Sequence, residues 1–132
     1  MTIVVGYVPR RDGLAALEAA VAEAARTAQP LLVVNAGTDA EPRRRGLADR
    51  RDIDALCACL ADVGVPHEVR QPSRGLAPAD ELVQAAAGCS ARLLVVGLRR
   101  RRPAGVGTGG STLSGVLADA DCDVLVVPAA DA

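Results

Sequence analysis

Val95-Val96-Gly97-Leu98 runs into four arginines, Arg99 to Arg102, and then into Gly105-Val106-Gly107-Thr108-Gly109-Gly110-Ser111-Thr112. This order reads as an apolar strand, a basic glycine-rich loop and the start of a helix, a layout that captures phosphate. A helix start offers backbone N–H groups with no intrahelical partner, together with the positive end of the helix dipole. Glycines let the backbone come close to the anion. The amides of Gly110, Ser111 and Thr112 are the expected donors, with Ser111 as helix cap. Arg99 or Arg100 would add a charge-assisted contact.

Other reactive side chains are more dispersed. Ser111 and Ser114 have no histidine that the chain order brings near, so no nucleophile–base set is assigned. His67 falls on an expected edge strand and is read as solvent-facing or satisfied. Asp49, Asp52, Asp54, Asp80 and Glu81 lie on expected helices near arginines, where i, i+3 and i, i+4 pairing accounts for them. No carboxylate stands out as a metal ligand. The cysteines Cys57, Cys59, Cys89 and Cys122 lack zinc or redox spacing and are expected to be buried, reduced thiols. Arg43-Arg44-Arg45 is read as a solvated loop.

Composition narrows the class of function. All 15 basic residues are Arg, the net charge is −1, and Tyr7 is the sole aromatic residue. Neither a field that gathers nucleic acid nor a platform for stacking bases is present, and no apolar run reaches the roughly 18 residues of a bilayer span. No secretory leader is recognised, so a cytoplasmic protein is expected. At 132 residues the chain, 1–132, is expected to form one domain that buries about two-thirds of its unfolded surface.

The elements that must position the loop follow from hydrophobic periodicity. Ile3-Val4-Val5, Leu31 to Val34, Leu93 to Val96 and Val124 to Val127 are short unbroken apolar runs, as in parallel strands covered on both faces. Val65 to Arg70 is more polar and fits an edge strand. Between them the period becomes helical: Leu14, Leu17, Val21, Ala24 and Ala28; Ile53, Leu56, Leu60 and Val63; Leu82, Val83 and Ala86; Leu113, Val116, Leu117 and Ala120. Asp12 is the expected cap of the first helix. Gly37 to Gly46 and Pro72 to Pro78 are the expected loops. The order βαβαβαβαβ predicts an α/β, doubly wound open parallel sheet of five strands with helices on both faces, and such sheets bind ligands beyond the carboxyl ends of their strands.

Over essentially its whole length the chain resembles the universal stress protein family. Ile3-Val4-Val5-Gly6 before an alanine-rich helix and Ala120-Asp121-Cys122-Asp123-Val124-Leu125-Val126-Val127-Pro128 at the close carry the resemblance. So does the family's nucleotide motif G-x2-G-x9-G-[S/T], matched by Gly97, Gly110 and Ser111. Arg100 stands at its second glycine, and Val8, followed by Pro9, stands where nucleotide-binding members have an aspartate. Arg100 either folds over the phosphates or fills their space. The resemblance implies a Rossmann-like, adenine nucleotide alpha hydrolase-like fold with strand order 3-2-1-4-5. It also implies ATP or another adenine nucleotide, with or without Mg²⁺, the base near Val8, Pro9 and Val34, and a homodimer through Val124–Val127. The expected function is a dimeric stress-response module that works by nucleotide occupancy. The alternatives are a nucleotide-free dimeric interaction protein with a degenerate motif and a slow ATPase.

Overall fold

The computed structural model describes residues 1–36, 48–72, 76–98 and 110–129. Nine elements alternate among them: β1 (Thr2–Gly6), α1 (Arg11–Thr27), β2 (Leu31–Val34), α2 (Arg50–Val63), β3 (His67–Arg70), α3 (Pro78–Gly88), β4 (Ala91–Leu98), α4 (Gly110–Asp119) and β5 (Asp123–Pro128). The strands form one parallel sheet in the order β3-β2-β1-β4-β5, the expected doubly wound topology. Arg43-Arg44-Arg45 and Arg99 to Gly109 lie outside the described residues.

Strand alternation divides the core into two layers. Ile3, Val5, Leu31, Val33, Leu93 and Val95 face α1 and α2, where Leu17, Leu56 and Leu60 meet them. Val4, Leu32, Val34, Leu94 and Val96 face α3 and α4, where Leu82, Ala86 and Val116 meet them. The central strands are therefore covered on both sides, which is why their runs are apolar without alternation. β3 is polar, begins at His67 rather than Val65, and occupies an edge.

Several local expectations are corrected. α1 packs through Gly13, Ala16, Leu17, Ala20 and Ala24, and Leu14 is left 48% exposed. The first turn of α1 lies too close to Val8 for any side chain at Gly13, and farther along the same face Leu17 packs into the core. Arg10, not Asp12, occupies the N-cap and makes no side-chain cap; Asp12 sits inside the first turn, where its carboxylate suits the dipole. Asp49 is not a surface pairing residue but the cap of α2, joined to Asp52 in a capping box. α4 begins at Gly110, one residue before the expected cap Ser111. The cysteines are free, as expected, yet Cys57 and Cys59 are exposed rather than buried.

Candidate functional site

The carboxyl ends of β1, β2 and β4 meet at one lip of the sheet. Gly6 is level with Val34, and Val5 with Val95, so Tyr7 and Gly97 stand in the next row. The Tyr7 amide donates to the Val34 carbonyl oxygen at 2.9 Å, which carries Val8 and Pro9 just past the strand ends. Val8, Pro9, Val34 and Gly97 are thus brought together. Gly110, Ser111 and Thr112 form the first turn of α4, which packs on the sheet through the buried Val116. Arg99 and Arg100 lie outside the described residues.

Two glycines fix how the lip is built. A Cβ on Gly97 would stand 2.2 Å from the Asp12 carbonyl oxygen, and one on Gly13 would stand 1.9 Å from that of Val8. The first turn of α1 is therefore wedged between the β1 end and β4, an approach open to glycine alone. Gly97 is accounted for by this packing, whereas the motif spacing had pointed to a phosphate. Arg10 reaches Asp12 at 3.4 Å beside the wedge.

The electrostatics single out α4. First-turn carboxylates stand on α1 (Asp12), α2 (Asp52) and α3 (Asp80 and Glu81), and α4 has none. Its positive end therefore meets no first-turn carboxylate, while those of the other three helices do.

Sequence reasoning missed Asn35, which follows Val34 and is 0% exposed. Its Nδ2 donates to the Tyr7 carbonyl at 2.8 Å, and its Oδ1 accepts from the Ala48 amide at 2.8 Å and from Gln71 Nε2 at 2.9 Å. Gln71 Nε2 also donates to the Ala48 carbonyl at 2.7 Å. One buried amide thus ties the β1 end, the approach to α2 and the exit from β3 together. A lone amide closing a buried apolar run was the available signal. The neighbouring Tyr7 hydroxyl has its pKa raised, first by burial and then by the negative charges of Asp52 and Cys59.

Beside Val34 the surface opens into a groove of about 520 Å³ between β3 and α3. Arg70, Gln71 and Pro72 form one wall; Glu81, Gln84, Ala85 and Gly88 form the other. Glu81 is only 3% exposed, which corrects its assignment to surface pairing. Arg70 donates to Glu68 and holds that carboxyl below its usual range. His67 lies on the same edge strand with its Nδ1 donating to the Val65 carbonyl at 2.8 Å, committed there rather than at the lip.

Comparisons with known proteins agree with this architecture. The family model described as Universal stress protein family matches residues 1–128. A curated universal stress protein of Mycolicibacterium smegmatis is 38% identical over 125 residues, 95% of each chain. Among solved structures, a universal stress protein of Archaeoglobus fulgidus in complex with dAMP superposes with a TM-score of 0.70 at 21% identity, over 96% of this chain and 95% of that one. Another, in complex with cAMP, gives a TM-score of 0.71 at 27% identity over 98% of both chains. These likenesses fix the fold as adenine nucleotide alpha hydrolase-like. No helix among the described residues is long and apolar enough to cross a membrane.

Proposed function

The chain belongs to the universal stress protein family, and on that premise we propose that it binds ATP or a related adenine nucleotide at the lip of the sheet and acts by occupancy, as a dimeric stress-response module. The phosphates rest on the amides of Gly110, Ser111 and Thr112, steadied by Arg99 or Arg100, with any Mg²⁺ held through the phosphates. The base lies near Val8, Pro9 and Val34. The observation that carries this reading is α4: among the helices that start at this edge of the sheet, it is the one whose first turn has no carboxylate. Relatives crystallised with cAMP and dAMP support the ligand class. Free thiols fit a reducing cytoplasm.

Calorimetry on nucleotide-stripped protein with AMP and ATP, with and without Mg²⁺, tests the proposal. Binding is expected in the wild type and lost in Gly110→Val, whose branched side chain blocks close approach to the amides. Flat titrations of the wild type at millimolar nucleotide reject it. They favour the second reading, a nucleotide-free interaction module, which has one observation of its own: Gly97 is explained by the α1 wedge without any ligand.

The dimer is proposed through β5. Leu125 on this edge strand is 39% exposed, and Leu14 of α1 and Leu117 of α4, helices on opposite faces of the sheet, are 48% and 57% exposed. Edge pairing with a second copy would cover apolar surface on both faces. Sedimentation should give a dimer that Leu125→Arg converts to monomer; a wild-type mass of one chain at all concentrations excludes it.

A further inference from the structure

We infer that Glu81 and Gln84 of α3 read the edge of the bound base and select a 6-aminopurine over a 6-oxopurine. This rests on the proposed nucleotide binding and names how that same site chooses its base.

The groove starts at Val34, where the base is placed, and runs along α3. Its volume of about 520 Å³ falls within the roughly 300–1,000 Å³ of small-molecule sites. Glu81, Gln84, Ala85 and Gly88 are spaced i, i+3, i+4 and i+7, so one stripe of α3 makes the whole wall. On that wall Ala85, with Val34 and Pro72 of the groove's other elements, supplies apolar contact for a flat ring, and Glu81 and Gln84 supply polar groups for its rim.

On the opposite wall Gln71 Nε2 is engaged by Asn35 and Ala48, and Arg70 Nε donates to Glu68. Recognition of the base edge is assigned to α3, whose Glu81 and Gln84 line the facing wall. A carboxylate can accept about four hydrogens, so Glu81 can take one from a ligand in addition to its protein contacts. An exocyclic 6-amino group donates that hydrogen. A 6-oxo group turns an acceptor toward the same oxygen and is repelled. The Gln84 amide, donor and acceptor at once, suits the adjoining ring nitrogen and amine, the pairing by which amide side chains recognise adenine.

AMP and inosine 5′-monophosphate differ at this edge, and their dissociation constants test the inference by calorimetry. The wild type should prefer AMP by about tenfold or more, the scale of a lost base-edge hydrogen bond. Glu81→Gln, which can present N–H to a 6-oxo group, should bring the ratio close to one. Gln84→Ala, at an exposed helix position, should weaken AMP about fivefold with its thermal unfolding unchanged, and it gives the answer even if the buried Glu81 variant fails to fold. AMP binding with equal affinity for both nucleotides, or with a preference untouched by both variants, overturns the inference and leaves nucleotide binding intact. No binding of either nucleotide by the wild type overturns both.

Discussion

Replacing Asn35 with Ala removes the knot that holds the lip, and its cost can be worked out bond by bond. The Tyr7 carbonyl loses the Asn35 Nδ2 donor at 2.8 Å, and the Ala48 amide loses its Oδ1 acceptor at 2.8 Å. Both losses fall at a wholly buried side chain. Leaving a buried polar group unmatched costs about 1–3 kcal/mol, so two of them give about 4 kcal/mol. Gln71 loses only one of two bonds, since Ala48 O still accepts from it at 2.7 Å. Gln71→Ala should therefore cost about 1 kcal/mol. Because Gln71 Nε2 donates to Asn35 Oδ1, the two variants remove one bond in common, and the double variant should fall short of the sum by about 0.5 kcal/mol or more. Urea denaturation followed by circular dichroism supplies these values, with a lower midpoint and an unchanged slope for Asn35→Ala. A loss below about 1 kcal/mol, or strict additivity with Gln71→Ala, would show that water replaces the amide and that no knot exists.

Gly97→Ala forces the first turn of α1 off β4, because its Cβ has 2.2 Å to the Asp12 carbonyl oxygen; a cost of about 3 kcal/mol is expected from overpacking. Gly88→Ala meets nothing within 4 Å and should be neutral or slightly stabilising, and equal effects at the two glycines would contradict the wedge. Acid should weaken the fold through Glu23, Asp49 and Glu68. Hydrogen bonds from Arg26 and Arg92 lower the Glu23 pKa, the Asp52 backbone amide lowers that of Asp49, and Arg70 lowers that of Glu68. A carboxyl whose folded pKa is depressed gives stability that is whole above its unfolded pKa of about 4 and drains away as pH falls through the folded value. Urea midpoints measured across that range should fall less steeply for Glu23→Gln, and an unaltered slope would remove Glu23 from the account.

The sheet was legible because burial on both faces leaves a direct mark, an apolar run without alternation, and because β3 carries the opposite mark in His67, Glu68 and Arg70. Helix faces were legible only where size and hydrophobicity agree. In α1 they disagree: the wedge against Val8 requires Gly13, the small Ala16 and Ala20 are buried, and the larger Leu14 is turned outward. Asn35 and Glu81 escaped for another reason. The partners of Asn35 are 13, 28 and 36 residues away, and no periodicity encodes them. Glu81 is buried on α3, which packs over β1 and β4, although its spacing with Gln84, Ala85 and Gly88 is readable once a groove is sought.

The two edges of the sheet have opposite chemistry, and this separates the proposed activities in space. β3 presents the Glu68–Arg70 pair and His67, groups that deter edge pairing; β5 presents Val124 to Val127. Four strand spacings lie between them, about 19 Å, so a second copy seated on β5 leaves the groove beside β3 uncovered. The phosphate end is different. Gly97 is paired with Val127, and the Ala129 amide donates to the Leu98 carbonyl at 2.8 Å, so β4 runs toward the proposed phosphate site while bonded to β5, the proposed dimer edge. The proposed occupancy at α4 would therefore reach β5 across one strand pair, whereas the groove beside β3 is linked to that edge through α3, whose Ala79 abuts Gly115 of α4, as well as through the sheet. A module that signals by occupancy has its shortest route through β4, with base choice and partner contact kept at opposite edges.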